Sequence, residues 1–320
     1  MALIRFFPEK PNLDFLKTRR ITLAIAALIL TGSMVCFAAI GLNFGIDFRG
    51  GTLIEVETDG PANLPEFRSR LTALDLGEVT IQEFGEPNNI LINIQRQEGD
   101  AEAQQEAIEE AKAEIDDMVV SYRRTEFVGP KVGEELREAG TLATLLALLG
   151  IAVYVWFRFE WQFAGAALLA LVHDVIGTIG FFTVTQIEFN LATLAAVLTI
   201  AGYSINDTVV IFDRVRESAR KYKSLHVTQV LNKALNETMA RTLMTSLTTL
   251  LALLCLYFFG GEVIRGFTAG LIWGIVIGTF SSVGVAVPLL YYMGLKNEPS
   301  GSNTQDDTGR TKAQEGVPQV

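Results

Sequence analysis

The chain has 320 residues, a formal net charge of −10 and only two cysteines, and 49% of its residues are hydrophobic, with a mean hydropathy of +0.32. The apolar residues form blocks long enough to cross the roughly 30 Å hydrocarbon core of a bilayer, which excludes a soluble globular protein. Because Cys36 and Cys255 both lie in such blocks, we expect small apolar fillers and neither a disulfide nor a metal site.

Six apolar blocks predict six transmembrane helices, and hence an α-helical polytopic membrane protein. Each block contains a run near the 20 residues that a helix needs to span the hydrocarbon. The first block follows Arg19 and Arg20, but no small-residue cleavage pattern comes after it, so it is interpreted as a retained anchor. The predicted spans are 21–42, 140–157, 162–184, 191–212, 242–259 and 266–291.

The placement of Lys and Arg in the short connections predicts the orientation. The N-terminal segment 1–20 and the link after the fourth span are rich in basic residues, whereas residues 185–190 after the third span have none. Both termini are therefore expected in the cytoplasm, and the long segment 43–139 outside it. The last residues, 294–320, are mostly polar and small, which predicts a disordered cytoplasmic tail.

Segment 43–139 predicts a small α+β domain. Alternating strand patterns and helical patterns follow each other in the order β-α-β-β-α-β, which is typical of a ferredoxin-like domain. The strands are predicted at 52–58, 79–84, 90–95 and 118–128, the helices at 64–74 and 101–117, and a hairpin link at 85–89. The domain has no Cys, His or catalytic serine motif, so a binding role is favoured over covalent or metal chemistry. Its 22 Asp and Glu against nine Lys and Arg indicate a solvated acidic surface or a surface for basic partners.

Two glycine-containing segments join this domain to the membrane spans. Since glycine permits sharp backbone turns, they are interpreted as hinges if the domain moves and as rigid struts if it does not. A nucleotide site is not expected, because a membrane helix and not a strand precedes the first segment. The residues are Gly45, Asp47, Gly50 and Gly51 in segment 43–51, and Gly129, Pro130 and Gly133 in segment 127–136.

An aspartate in the fourth span is the strongest candidate for a functional residue. Asp207 stands in an otherwise apolar helix, where insertion scales put the cost of a charged side chain at about 2.5 to 3.5 kcal/mol, so an ion path or proton relay is predicted. Tyr203 and Ser204 precede it by four and three residues and share its helix face. Asn206 and Asp213 are secondary candidates.

Polar groups in the third and fifth spans each have two interpretations. Arg241 enters the fifth span from the cytoplasmic side and is either a counter-ion to Asp207 or a positive-inside anchor. His173 and Asp174, near the middle of the third span, either join the relay or form a buried hydrogen-bonded pair that fixes helix contacts. The hydroxyl-rich face of the fifth span either lines a wet path or packs helices.

Taken in order, these motifs resemble the SecF family of the bacterial protein-export machinery. The residues that carry the resemblance are 43–51, 127–136, 190–217 with its Gly-Tyr-Ser-Ile-Asn-Asp-Thr core, 241–250 and 278–282. The resemblance implies a six-helix half of a resistance-nodulation-division type assembly in the bacterial inner membrane, paired with SecD. It matches Asp207 and Arg241 to the family's intramembrane Asp and Arg.

The resemblance also implies a function. Such a subunit assists the export of unfolded preprotein through the SecYEG channel, with YajC and YidC as further partners and without nucleic acid. Protons are the implied coupling ion, with no cofactor or metal and no hydrolytic chemistry. A proton crossing 100 mV releases about 2.3 kcal/mol. We hypothesise that protonation of Asp207 weakens its attraction to Arg241 and that the resulting helix shift reaches the outer domain through the glycine segments.

Three other functions are alternatives to protein export. Half of a proton-driven exporter of small molecules or lipids, from the same superfamily, would use the same relay, but the small outer domain argues against it. An intramembrane enzyme is disfavoured because the chain has no His-Glu-x-x-His or Gly-x-Ser-x-Gly motif and no paired intramembrane carboxylate around Asp207. In a passive scaffold, Asp207 would only hold helices together.

Overall fold

The structure is a computed structural model that describes residues 13–97 and 101–295. Residues 296–320 of the predicted tail fall outside this range, and the predicted segment 1–20 is described from residue 13 onward. The described chain forms a bundle of long helices with a small α+β domain, residues 51–128, inserted after the first of them. This part is called the inserted domain.

The helices and strands follow each other in the predicted order. In chain order they are α1 (Arg19–Ile40), α2 (Ile46–Arg49), β1 (Gly51–Glu57), α3 (Leu64–Ala73), β2 (Val79–Phe84), β3 (Glu86–Ile94), α4 (Ala101–Ile115), β4 (Ser121–Val128), α5 (Pro130–Arg158), α6 (Trp161–Thr185), α7 (Leu191–Lys221), α8 (Val227–Phe259), α9 (Arg265–Ser281) and, after a π-helical turn at Ser282–Ala286, α10 (Val287–Tyr292). In the described part of the chain, six helical segments are long and apolar enough to cross a membrane, with α9, the π-helical turn and α10 together forming the sixth.

The inserted domain has the predicted ferredoxin-like arrangement. Its four antiparallel strands lie in the order β2-β3-β1-β4, and Ile54 pairs with Ile92 across the two central strands. α3 and α4 cover one face of the sheet, where Phe67 and Leu71 are almost completely buried with both isoleucines. Each such side chain contributes about 1.5 to 3 kcal/mol of burial free energy. These apolar contacts hold the domain together.

The predicted hairpin between β2 and β3 forms, but the predicted extent of its link, 85–89, is wrong. β3 already begins at Glu86, and a single residue, Gly85, separates it from β2. Gly85 has a φ of +80°, a conformation that glycine adopts without a steric penalty, and the strand register shifts next to it. The polar residues at 86–89, which resemble a turn in the sequence, are therefore part of the strand.

The membrane helices are longer than the predicted spans. α7 continues nine residues past the predicted end at 212, and α8 begins 15 residues before the predicted start at 242. Ion pairs hold these polar extensions in place: Arg214 contacts Glu237 and Arg158 contacts Asp213, each at 2.6 Å. The apolar block thus marks the hydrocarbon, whereas ion pairs beyond it let the helices continue.

Burial divides the membrane helices into two groups. In the most apolar stretch of each segment, half or more of the residues are buried in α6, in α7 and in the α9–α10 segment (56%, 50% and 67%). The buried share is 6%, 6% and 17% in α1, α5 and α8. The first group is therefore the centre of the bundle, and the second leaves apolar faces for lipid or for other helices. Cys255 is exposed on α8, so it is not the packed filler that was predicted. Both cysteines are free.

We expect Ile92→Ala to lower the stability of the inserted domain by about 2 to 5 kcal/mol, because it leaves a cavity beneath the sheet. Pulse proteolysis of the purified full-length chain across a urea gradient would measure this as a lower midpoint. Thr72→Ala, at an exposed position of α3, is the matched control and should change the midpoint little. Equal midpoints for the two variants would contradict this account of the core.

Candidate functional site

Small residues bring α7 and α9 into close contact at the centre of the bundle. A side chain at Gly278 would place its Cβ 3.1 Å from the Cβ of Ser204, and one at Gly274 would overlap Ile200. Small residues at such positions allow the backbones of membrane helices to approach each other. The polar side chains of the two helices are thereby brought within hydrogen-bonding reach.

Asp174 is the hub of this contact. Its carboxylate is completely buried and accepts hydrogen bonds from Ser204 on α7 and from Ser281 on α9, the latter at 2.5 Å. His173 Nδ1 lies 2.9 Å from the other carboxylate oxygen. One side chain thus connects α6, α7 and α9. His173 and Asp174 therefore form the buried hydrogen-bonded pair that was one of their two interpretations.

Ser204 has a hydrogen-bond partner on another helix. It shares a helix face with Asp207, but its hydroxyl donates to Asp174. The other secondary candidates on α7 also lie apart from the buried carboxylate: Asn206 is exposed, and Asp213 forms an ion pair with Arg158 near the end of the helix. Only Tyr203 remains available to Asp207 on this face, with a half-buried side chain.

Asp207 is buried, with 5% of its surface exposed, and its Oδ2 atom has no hydrogen-bond partner among the described residues. The Tyr203 hydroxyl and the Thr242 hydroxyl, on α8, are unpartnered in the same sense. A carboxylate without a partner is costly at a membrane position, and buried polar groups are normally hydrogen-bonded. The two aspartates therefore differ: Asp174 is fully bonded, and Asp207 is not.

Arg241 lies on α8, beside Thr242. It is exposed, and it forms no ion pair with Asp207 within 4.0 Å, although its charge acts on that carboxylate. A guanidinium at this position attracts the carboxylate across a gap between α7 and α8, and the side chain reaches the surface of the isolated chain. This geometry is compatible with a counter-ion that approaches and withdraws.

A second set of hydroxyls lies around α9, and of these only Ser246 belongs to the hydroxyl-rich face predicted for the fifth span. Thr208 on α7 lies 3.1 Å from Ser282, and Ser246 on α8 lies 2.7 Å from Thr279. Ser282 begins the π-helical turn, a feature that is frequent at functional sites. The signal in the sequence was the glycine and the hydroxyl residues at 278, 279, 281 and 282.

The first glycine segment is a packed junction. Gly45 N donates to Phe189 O at 3.0 Å and Phe189 N donates to Asn43 O at 2.7 Å, which pairs the segment with the loop between α6 and α7. Phe48, on α2, is buried in an apolar cluster formed with α6, α7 and the loop between them. Asp47 accepts a hydrogen bond from the first backbone amide of α7. This segment therefore has the contacts of a strut.

The second glycine segment packs against the first. Gly129 is the N-cap of α5, whose first residue is Pro130, so this segment opens a continuous helix. A Cβ at Gly133 would lie 3.0 Å from Gly50 N. Gly50 and Gly51 have φ values of +71° and +123°, which other residues rarely adopt. Glycine is thus required on both sides of the contact.

Within residues 13–97 and 101–295, no group of three or more His, Cys, Asp or Glu side chains is arranged to hold a metal ion. The polar side chains around Asp174 and Asp207 are carboxyl, hydroxyl, imidazole and guanidinium groups. Such a set can donate, accept and hold protons.

Comparison with known families identifies the class of protein that this chain resembles. The family profile described as protein export membrane protein SecD/SecF, C-terminal, matches residues 107–296. The profile of the SecD/SecF GG motif matches residues 37–62, which include the first glycine segment.

Individual relatives agree with these profiles. The protein translocase subunit SecF of Cereibacter sphaeroides is 44% identical over 301 residues, covering 91% of this chain and 93% of the relative. The SecF subunit of Rickettsia felis is 44% identical over 293 residues, covering 90% and 94%. The crystal structure of SecDF from Thermus thermophilus superposes with a TM-score of 0.81 at 33% identity. It covers 90% of this chain, which spans 39% of that longer protein.

We expect Asp174→Ala to destabilise the helix bundle by at least about 2 kcal/mol, because it removes the shared acceptor of His173, Ser204 and Ser281. Unfolding of the purified protein in increasing dodecyl sulfate, followed by tryptophan fluorescence, would measure the shift. Val172→Ala, at an exposed position of the same helix, is the control. Equal unfolding midpoints would show that Asp174 does not hold the helices together.

Proposed function

The chain belongs to the SecF family of protein translocase subunits, and we propose that it works as one half of a SecD–SecF complex that uses the proton gradient to assist preprotein export. The chain is a multi-pass membrane protein with six candidate spanning segments in its described residues, and the proposed location is the bacterial inner membrane. In the proposed orientation both termini are cytoplasmic and the inserted domain is periplasmic, in accordance with the basic residues at the start of the chain and between α7 and α8.

The proposed partner is SecD. In the similar SecDF structure a single longer chain carries the matching part, and the present chain spans 39% of it. The exposed apolar faces of α1, α5 and α8 leave room for the helices of a second subunit. The SecYEG channel, with YajC and YidC, and an unfolded preprotein complete the proposed assembly.

The observation that carries the proton-coupling proposal is the difference between the two buried aspartates. Asp174 has hydrogen-bond partners for both carboxylate oxygens, whereas Asp207, among the described residues, has a buried oxygen without a donor and one nearby cation, Arg241, beyond ion-pair distance. The ionised form of Asp207 is therefore the less well satisfied of the two, and Asp207 is the group proposed to exchange a proton. Protons are the proposed coupling ion, and no cofactor or hydrolytic step is required.

The proposed cycle follows from this geometry. When Asp207 is ionised, Arg241 attracts it and α8 is drawn toward α7. When Asp207 takes up a proton, the attraction disappears and the two helices separate. The Asp174 hydrogen bonds hold α6, α7 and α9 together throughout, so the movement is between this unit and α8. A proton crossing 100 mV supplies about 2.3 kcal/mol, enough to bias two such arrangements.

We expect Asp207→Asn to abolish the gradient-dependent part of preprotein export, because asparagine is isosteric but cannot ionise. Translocation into inverted membrane vesicles, with and without an imposed proton gradient, would measure it. Asp207→Glu retains an ionisable group and should keep part of the gradient-dependent export.

Thr199→Ala is the matched control, since Thr199 is exposed on the same helix and its hydroxyl bonds only to the preceding turn. Co-purification with SecD would establish that each variant assembles. If Asp207→Asn assembles and still shows full gradient-dependent export, Asp207 is a structural residue and the proposed coupling is wrong.

A further inference from the structure

The junction between the inserted domain and the bundle contacts the helix that carries Asp207. Asp47 Oδ2 accepts a hydrogen bond of 2.9 Å from Leu191 N, the first amide of α7. Asn190 caps the same helix end by accepting from Thr193 N at 3.0 Å. A carboxylate at a helix N-terminus also interacts favourably with the helix dipole. The first turn of α7 is therefore held in part by a residue that belongs to α2, the short helix leading into the domain.

Glu188 lies in the same junction, on the loop between α6 and α7. It packs directly against Gly45, where a Cβ would overlap the Glu188 carboxyl group, so the two segments are in close contact. Asn93, on β3 of the inserted domain, lies near this carboxyl group and favours its ionised form. Glu188 thus contacts the segment that enters the domain and faces the domain itself.

The charges facing Glu188 are mostly of its own sign. They are Asp47 on α2, and Glu126 and Arg124 on β4. Arg124 is shared, because it lies 3.2 Å from Glu126 and 3.4 Å from Glu55 on β1. One guanidinium therefore faces three carboxyl groups, those of Glu188, Glu126 and Glu55. Burial raises the pKa of Glu188, the charge of Asp47 raises it further, and Arg124 opposes both.

We propose that Asp47 and Glu188 are positioning residues of the transport cycle: Asp47 ties the inserted domain to the first turn of the relay helix, and Glu188 loosens this tie when it loses its proton. Ionised Glu188 adds a carboxylate beside Asp47 and Glu126, and the repulsion favours separation of the loop from α2 and β4. Protonated Glu188 allows the three elements to pack closely.

The direction of the pH dependence follows from the pKa. Because the pKa of Glu188 is raised in the packed junction, the packed state binds the proton more tightly than the separated state. The junction is therefore tight at low pH and loosens as the pH rises through this raised pKa. The pH response of the junction does not depend on the proposed function. Its significance for export does, because in the proposed function the inserted domain lies on the acidic side of an energised membrane.

Hydrogen–deuterium exchange of the full-length chain, co-purified with SecD in nanodiscs, tests the proposal. The reporters are peptides that contain the amides of Gly45, Phe189 and Leu191, each of which donates across the junction. The protection of each peptide is the exchange rate of the unfolded chain divided by the measured exchange rate at the same pH. We expect this protection to fall at least about threefold between about pH 5 and pH 8, while the α3 peptides change little.

Four variants make the test specific. Glu188→Gln should keep the junction protected and remove the pH response. Glu126→Gln, which takes away one repelling charge, should lower the pKa of Glu188 and shift the transition to lower pH. Asp47→Ala should reduce the protection of Leu191 at every pH. Glu110→Gln, an exposed carboxyl of α4, is the control and should behave as the wild type.

The proposal is overturned if wild-type protection does not change with pH, or if Glu188→Gln and wild type respond alike. Should Glu188→Gln fail to assemble, an unshifted transition in Glu126→Gln would overturn it equally. Exchange does not depend on export. If the junction responds to pH but export does not need Asp207, the proposed function alone is refuted. If export needs Asp207 but the junction does not respond to pH, this inference alone is refuted.

Discussion

The arrangement of the bundle depends on the burial of one carboxylate, Asp174, among hydroxyl groups from two other helices. In a bilayer, apolar side chains give little preference for one helix neighbour over another, since lipid is equally apolar. Hydrogen bonds to a buried carboxyl group are directional and fix the rotation of each helix. Gly278 makes this possible, because it lets α9 approach Ser204 closely. The rigid unit of α6, α7 and α9 follows from these contacts.

The same constraint explains why a second aspartate on α7 has a different role. Asp207 lies three residues after Ser204, close to the Asp174 cluster in sequence, yet the donors of that cluster are already engaged. Its neighbours are unpartnered hydroxyls and a distant guanidinium on α8. In the proposed function, a fixed cluster thus lies next to an unsatisfied carboxyl: one group holds the helices, and the other exchanges the proton.

Hydropathy and strand periodicity were sufficient to predict the fold class and the ferredoxin-like domain, because apolar length and alternation are local properties. Asp207 was found in the same way, as a charge in an apolar block. What failed depends on distant contacts. The extensions of α7 and α8 are held by pairs such as Arg214 with Glu237, 23 residues apart, and Ser204 turned out to serve Asp174 on another helix. Glu188, an ordinary acidic loop residue in the sequence, gains its significance only from β4 packed against it.

α7 is the element that connects these sites. Asp207 lies 16 residues after Leu191, about 24 Å along the helix, so the relay carboxyl and the Asp47 cap are at separate positions on one rigid rod. A helix cannot stretch, and its α6 and α9 contacts prevent it from sliding alone. A change at Asp207 can therefore reach α2 only by tilting or rotating the whole unit, or by moving α8 against it. In the proposed cycle, the glycine segments, packed between α5 and the loop before α7, carry this movement to the inserted domain as a strut does.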